Sequence, residues 1–193
     1  MDHYFEVFFD YVRLLVAIPE VDQESCRFHF KPLKIKKGTI LAPAGKIPEY
    51  HNFIVSGYMR NYYVDEKGQE VTTDINDGPR FFTSYNAFAQ RTVSNENLHC
   101  ITDCELLQVS RDDVDIMAKT GITNLDYTVK ILQQQLEKNK QRVLDHANLS
   151  AEERYLKMLK NHPAIIKNIP LKYIASYLGL NAGSLSRIRK EVL

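Results

Sequence analysis

The chain has 193 residues, of which 44% are hydrophobic and 25% charged, so it is long enough to bury a core and has the composition of a globular protein. No apolar run reaches the ~18–20 residues that a helix needs to cross a bilayer. The N-terminus lacks a basic segment followed by a small-residue cleavage site. We therefore expect no signal peptide, no membrane partner and a cytoplasmic location.

The spacing of cysteine and histidine gives little support to metal or redox chemistry. None of the three cysteines stands in a C-x-x-C motif: Cys26, Cys100 and Cys104. A metal-dependent enzyme on a cupin-like barrel, which is one alternative, would need clustered histidines with a carboxylate. Three histidines instead lie on separate predicted strands: His29, His51 and His99. We predict no metal and no enzymatic activity.

Residues 1–118 are predicted to form a β-rich domain. It opens with an amphipathic helix in residues 4–18, whose apolar side chains share one face: Phe5, Phe8, Val12, Leu15 and Val16. Alternating side chains then predict a strand over residues 27–35. Further short β-rich runs follow, separated by glycine turns that include Asp77-Gly78. Short strands at such regular intervals indicate a β-roll or jelly roll, and the fold class is α+β.

Residues 119–148 are predicted to hold a long helix, over residues 123–147, with a narrow apolar seam. The seam positions repeat in heptads: Leu125, Val129, Leu132, Leu136, Asn139 and Val143. A long helix with so narrow a seam needs a partner, so we predict that it forms the interface of a homodimer in which Asn139 fixes the register. Packing of this helix on the chain's own β-domain is the alternative.

Residues 149–193 are predicted to be a separate helical domain. Ser150 and Glu153 have the spacing of a capping box, which starts a helix that ends at His162-Pro163. Residues 164–169 are predicted to be a short strand or a connector, and Pro170 to be the first residue of the next helix.

Residues 171–190 have the pattern of a helix-turn-helix. Their apolar positions suit two crossing helices: Ile174, Leu178, Leu180, Leu185 and Ile188. Ala175 is small where the second helix crosses the first, and Gly179 can take the positive φ of the tight turn. Asn181 is a natural N-cap for the second helix. This pattern predicts binding to double-stranded DNA.

The second helix, about residues 182–192, is predicted to enter the major groove. Arg187 is the main base-reading candidate, because a guanidinium can bond two acceptors on guanine. Six further side chains are predicted DNA contacts: Lys172, Asn181, Ser184, Ser186, Arg189 and Lys190. For Arg189 and Lys190, plain solvation is an equal alternative.

The charge distribution also favours a polyanionic partner. Residues 151–193 hold eight basic and three acidic side chains, although the net charge of the whole chain is only +1. An interaction module whose terminal helices bind protein is the remaining alternative.

The order of a β-rich domain, a long helix and a terminal helix-turn-helix resembles the Crp/Fnr family of transcription regulators over nearly the whole chain. Short runs carry the same resemblance: KGTIL (37–41), AG (44–45), FIVSGYMR (53–60), DEKGQE (65–70), CELL (104–107) and LSRI (185–188). The resemblance implies a cyclic-nucleotide-binding-type roll, a homodimer and a winged-helix-type helix-turn-helix. It also implies control of transcription initiation, with RNA polymerase as a further partner. Because the chain ends at Leu193, we expect a truncated wing.

The residues with which the family binds cyclic nucleotides are not present. The family's Gly-Glu pair, which engages the ribose, falls at Thr83-Ser84, and its Arg-Ser/Thr pair, which engages the phosphate, falls at Ser94-Asn95. A buried phosphate without a guanidinium lacks charge compensation, so we predict that cAMP is not bound. The four residues are a candidate pocket for an unidentified small-molecule effector. Arg80 or Arg91 could supply a positive charge by another route.

Two further departures concern other properties of the family. Its oxygen-sensing members use an N-terminal cysteine cluster, and because this N-terminus has none, we predict no iron–sulfur cluster. Ala182 and Gly183 stand where well-known members carry long polar base readers. We therefore expect a different target site.

Overall fold

The structure is a computed structural model that describes residues 2–76 and 78–192, except for the side chain of Val192. Part of the predicted turn at Asp77-Gly78 and the expected wing at Leu193 lie outside the described residues. Within these ranges no helix is both long and apolar enough to cross a membrane.

Helix α1 (Asp2–Arg13) packs an aromatic face against the β-domain. The ring centroid of Phe8 lies 5.1 Å from that of Phe53 and 5.0 Å from that of Phe30. The buried side chains recur every three or four residues, as an amphipathic helix requires: Tyr4, Phe5, Phe8, Phe9 and Val12. The predicted amphipathic helix is confirmed, although it ends before Leu15 and Val16.

Helix α2 (Glu20–His29) corrects part of the strand predicted over residues 27–35. Asp22 and Cys26, one turn apart, are buried, whereas Phe28 is 73% exposed. The carboxylate of Asp22 accepts hydrogen bonds from the backbone N–H groups of Ile122 and Thr123 at 3.0 and 2.7 Å. An alternation of apolar and polar side chains over only four residues also fits a helix with one buried face, so it did not identify a strand here.

Two antiparallel sheets form the β-domain of the described residues, in the strand orders β1-β8-β3-β6 and β2-β7-β4-β5. Their strands are β1 (Lys31–Ile35), β2 (Ile40–Ala42), β3 (Tyr50–Ser56), β4 (Met59–Val64), β5 (Glu70–Ile75), β6 (Arg80–Phe81), β7 (Asn97–Cys100) and β8 (Cys104–Ser110). Leu106 of β8 is buried between the sheets, and the next residue, Leu107, is buried on the other side against α1 and α2. The predicted β-roll is therefore confirmed.

Three helices complete this part of the chain: α3 (Tyr85–Gln90), α4 (Arg111–Thr120) and α5 (Asn124–Asn148). Helix α5 confirms the long helix predicted over residues 123–147. Its inner side lies on the β-domain, where the Tyr127 ring is buried and stacks at 6.3 Å on Phe81. The proposed domain limits stay predictions; the first, at 118/119, falls inside α4.

Helix α6 (Ala151–Asn161) follows α5 after only Leu149 and Ser150. The predicted capping box is present, because Ser150 Oγ accepts from Glu153 N–H at 3.2 Å and Glu153 Oε2 accepts from Ser150 N–H at 2.7 Å. The ammonium of Lys157 lies 2.6 Å from the carboxylate of Asp145 across this joint.

The last helices are α7 (Pro163–Asn168), α8 (Leu171–Tyr177) and α9 (Ala182–Val192). The prediction of a strand over residues 164–169 is wrong, because Pro163 starts a short helix there. A brief apolar run does not distinguish a strand from a helix. Pro170 is the N-cap of α8 and not its first residue. Between residues 111 and 192 the structure contains helices and no strand.

Gly57, between β3 and β4, generates a prediction about stability. Its φ is +93°, and a Cβ there would lie 2.8 Å from Cys104 Sγ and 2.9 Å from Cys104 Cα. We expect Gly57→Ala to lower the free energy of unfolding by about 3 kcal/mol in urea denaturation, since backbone strain and overpacking add. Gly45→Ala is the matched control, because its φ is +82° but nothing lies within 4 Å of the added Cβ. Equal losses in both variants would contradict the steric argument.

Candidate nucleic-acid interface and effector cavity

Helices α8 and α9 cross as the sequence pattern predicts. Ile174, Ala175 and Leu185 are buried at the crossing, where Ala175 is 1% exposed. Gly179 in the turn has a φ of +70°, which a glycine adopts without strain. All five predicted apolar positions belong to one cluster: Ile174, Leu178, Leu180, Leu185 and Ile188.

The side chains predicted to contact DNA lie on α9 and on the first turn of α8. Asn181 Oδ1 accepts from the backbone N–H of Ser184 at 2.8 Å, which is the geometry of an N-cap. Arg187 and Lys190 are one turn apart and exposed. Ser184, Ser186 and Arg189 are half-buried, and Lys172 is exposed with its Nζ 4.8 Å from the Tyr173 ring centroid.

Helix α8 is docked on the open edge of β5. Ser176 Oγ accepts from the backbone N–H of Thr72 at 2.8 Å and donates to the carbonyl oxygen of Glu70 at 2.9 Å. Arg142 of α5 reaches the same corner, where its guanidinium donates to the carbonyl of Thr73. The helix-turn-helix is thereby joined to the β-domain through polar contacts with the strand's backbone.

Arg60 of β4 is buried beneath this contact, with its side chain 2% exposed. The guanidinium carbon lies 4.0 Å from the ring centroid of Tyr62 and 3.6 Å from that of Tyr173 on α8. The guanidinium also forms an ion pair with Glu70 and donates to His99 Nδ1 at 3.2 Å. Arg60 is thus held between one aromatic ring of the β-domain and one of the helix-turn-helix, in the geometry of a cation–π interaction.

The predicted seam of α5 is exposed, and part of it borders the β-domain. Its apolar members are exposed, from 37% for Leu132 to 71% for Leu136: Leu125, Val129, Leu132, Leu136 and Val143. Asn139 is also exposed, and its Oδ1 accepts from Gln135 Nε2 at 3.4 Å. The inner face of the same helix contacts the β-domain through Tyr127, whereas four seam residues line an open space between α5 and that domain: Leu132, Leu136, Asn139 and Val143.

A cavity of about 620 Å³ lies between the β-domain and α5. Thr83 and Ser84, at the start of α3, line it. Ser94 is buried behind them and its Oγ donates to Ser84 Oγ at 3.1 Å. Asn95 is exposed and is not among the lining residues. The structure therefore brings together three of the four predicted pocket residues.

Asp74 and Arg80, two charged residues of this cavity, form an ion pair with each other. Arg80 lies 2.7 Å from the carboxylate of Asp74, and Lys138 lies 3.4 Å from it. Burial alone would raise the pKa of Asp74, but these two cations outweigh it and lower that pKa below its usual value. Arg91 contacts Asp112 and Asp115 of α4 at 2.6 and 3.3 Å and does not line the cavity.

Cys100 and Cys104 interact through their thiols, whereas Cys26 belongs to a different part of the core. All three cysteines are buried free thiols, with Cys100 ending β7 and Cys104 starting β8. In the described ranges no group of three or more His, Cys, Asp or Glu side chains could hold a metal ion.

Sequence reasoning did not find Arg60, Tyr173 and Ser176. Residues 60 and 173 are far apart in the chain, and no local pattern pairs an arginine on one strand with a tyrosine on a distant helix. Three tyrosines in the helix-turn-helix and its neighbourhood were a weak signal, because exposed helices rarely carry so many large aromatic side chains.

Residues 32–120 match the sequence pattern of the cyclic nucleotide-binding domain family. No curated protein has a matching sequence. The match covers most of both sheets, α3 and the whole of α4.

Solved structures extend the likeness to most of the chain. The c-di-GMP-responsive global regulator CLP of Xanthomonas campestris is 16% identical, with 90% of this chain and 91% of that chain covered at a TM-score of 0.69. FixK2 from Bradyrhizobium japonicum is also 16% identical, with 84% of each chain covered at 0.71. A protein of Eubacterium rectale described as a transcriptional regulator of the crp/fnr family is 16% identical, with 90% and 83% covered at 0.70. At such identities the likeness is one of fold, and the chain has the fold of the Crp/Fnr regulators.

The contact of Arg60 with Tyr173 predicts an energetic coupling between the two halves of the chain. In a double-mutant cycle of Arg60→Met and Tyr173→Leu, urea denaturation should give a coupling energy of about 1–2 kcal/mol, since the cation–π contact is largely desolvated. Tyr173→Phe is the matched control, because it keeps the ring and should retain most of the coupling. Additive losses in the cycle would contradict an interaction across the domain contact.

Proposed function

We propose that this protein is a homodimeric transcription regulator of the Crp/Fnr type that binds double-stranded DNA through α9. The observation that carries the proposal is a complete helix-turn-helix scaffold that leaves Arg187 and Lys190 exposed. The cationic surplus of residues 151–193 is the second support, because phosphate neutralisation dominates the affinity for DNA. RNA polymerase is the further partner that this function would require, and the cytoplasm its location.

Dimer formation is supported by the two faces of α5. The inner face has its partner in the β-domain, whereas the seam leaves five large apolar side chains in water. Burying them against the seam of a second copy is favourable, and heptad spacing is the pattern by which two helices pack together. Asn139 among these apolar positions would fix the register of the pair. A two-fold axis along this seam would present two α9 helices to two half-sites on the same DNA.

For the effector, we propose that the domain is not controlled by cAMP or by an iron–sulfur cluster. The cavity presents hydroxyls at Thr83 and Ser84, and both of its arginines are engaged, Arg80 by Asp74 and Arg142 by the carbonyl of Thr73. Glu96 adds a second carboxylate to the lining and accepts from Thr73 Oγ1 at 2.6 Å. A cyclic phosphate would meet these carboxylates without an unengaged guanidinium, which is unfavourable in a buried site.

The DNA contact is tested with Arg187. The DNA is the duplex that this protein enriches from a random library, and its binding is measured by fluorescence anisotropy. Arg187→Ala should weaken specific binding by about 1–3 kcal/mol. Arg187→Lys is the matched control, because it keeps the charge but loses the paired bonds to guanine. It should retain the salt dependence of binding while losing preference for the enriched sequence. If no duplex is bound in a salt-dependent manner, the terminal helices serve a protein partner and the proposal fails.

The dimer interface is tested with Leu136. Leu136→Glu places a charge in the apolar seam and should convert a dimer into a monomer in sedimentation equilibrium at micromolar concentration. Lys130→Glu, on an exposed face of the same helix, is the control and should leave the dimer unchanged. A monomeric wild-type protein under these conditions would exclude the proposed interface.

A further inference from the structure

We propose that His99 makes the contact between the helix-turn-helix and the β-domain sensitive to acid: protonation of its imidazole releases α8 from β5. This release is a property of the free protein and does not depend on DNA. Its effect on DNA binding would rest on the proposed function.

His99 of β7 lies in the contact between the two halves of the chain. Its ring stands edge-on to Tyr62 of β4 and to Tyr173 of α8, with centroid distances of 6.1 and 5.9 Å. Its Nδ1 accepts a hydrogen bond from Arg60 Nε at 3.2 Å. Because a guanidinium is charged and can only donate, Nδ1 has to be the unprotonated nitrogen of a neutral imidazole.

Protonation of His99 would break this bond. An imidazolium carries an N–H at both nitrogens, so Nδ1 could no longer accept from Arg60 and two cations would stand side by side. Glu70 of β5 already forms an ion pair with Arg60. Lys172 of α8 brings a further positive charge to the ring. On the other side of His99, β2 places the uncharged Ile40 opposite it.

The surroundings of His99 lower its pKa. Burial is the largest cause, and the positive charge of Arg60 is the second. Glu70 raises the pKa and Lys172 lowers it further. The two tyrosine rings at the contact are uncharged at neutral pH. The neutral imidazole is therefore the form that suits the docked helix.

Release of α8 would remove part of this environment. Lys172 and the ring of Tyr173 belong to α8 and would leave with it, so water would reach the imidazole and screen it from Arg60. Both changes raise the pKa of His99, and the released state therefore holds a proton more tightly than the docked state. By linkage, docking is most favourable above the pKa of the released state and weakens as the pH falls below that value.

A second histidine near the same contact serves as an internal comparison. His146 of α5 lies against the turn between α8 and α9, where its Cε1 would be 3.1 Å from a Cβ on Gly179. Burial and two neighbouring arginines lower its pKa as well. However, a hydrogen bond with the backbone of Tyr177 favours its protonated form, so protonation would strengthen that contact. We therefore assign the acid response to His99.

The test follows the backbone N–H of Thr72, which donates to Ser176 Oγ while α8 is docked. Its hydrogen exchange is measured by NMR on the full chain and divided by the intrinsic rate at each pH, which gives the fraction of molecules with α8 released. From about pH 7.5 to about pH 5, this fraction should rise by about threefold or more in wild type.

Three variants assign the response to one side chain. His99→Gln does not titrate, but its side-chain oxygen can accept from Arg60, so it should keep the protection at neutral pH and lose the rise in acid. His146→Gln should respond to acid as wild type does. His3→Gln, at an exposed histidine of α1, is the matched control and should also respond as wild type.

Three results would overturn the proposal: no rise of the released fraction in wild type, a rise that survives in His99→Gln, or a rise that His146→Gln abolishes. Should His99→Gln not fold, the imidazole of His99 is titrated by NMR in wild type and in Ser176→Ala, which loses both bonds to β5. The pKa of His99 must be higher in that variant, and an equal or lower value overturns the proposal.

DNA binding of wild type at neutral pH is measured separately. Its absence would defeat the proposed function and leave the exchange result standing.

Discussion

An outer strand presents backbone donors and acceptors without a partner strand, and at β5 these groups meet the hydroxyl of Ser176. Because this single hydroxyl bonds one donor and one acceptor of the strand, α8 is held at one position along it. Tyr173, one turn earlier, closes over the guanidinium of Arg60 and removes it from water. Helix α9 packs on α8, so the direction in which its exposed face points relative to the sheets follows from these contacts.

Helix α5 carries the predicted dimer seam and also closes the cavity, and some of its residues belong to both surfaces. Its outer face carries the heptad seam, and its inner face closes the cavity with Ile131 and Gln135. Four residues belong to both surfaces: Leu132, Leu136, Asn139 and Val143. A molecule in the cavity and a second copy on the seam would therefore contact the same side chains. Such shared contacts are the physical requirement for coupling between a ligand and an interface.

The sequence was sufficient for those elements whose signal is local or periodic. The helix-turn-helix, the capping box at Ser150 and the long helix all follow from spacing within a few turns, and the structure contains them. The strand predicted across residues 27–30 failed, since a short alternation does not distinguish a strand from a helix end. The cavity was predicted only in part, because Asn95 is exposed and does not line it. The partners of Arg60 come from distant parts of the chain, and no local pattern contains them.

Only Leu149 and Ser150 separate α5 from α6, and the capping box gives α6 its own hydrogen bonds at that end. The angle between the two helices is therefore set by a few backbone dihedral angles, and the ion pair of Lys157 and Asp145 spans the joint. On DNA, successive major grooves on one side of the duplex lie ~34 Å apart. In a two-fold dimer, the distance between the two α9 helices would depend on the angle between α5 and α6. Substitutions at residues 149 and 150 would then alter the distance between half-sites that the protein accepts, and leave unchanged the bases that each half reads.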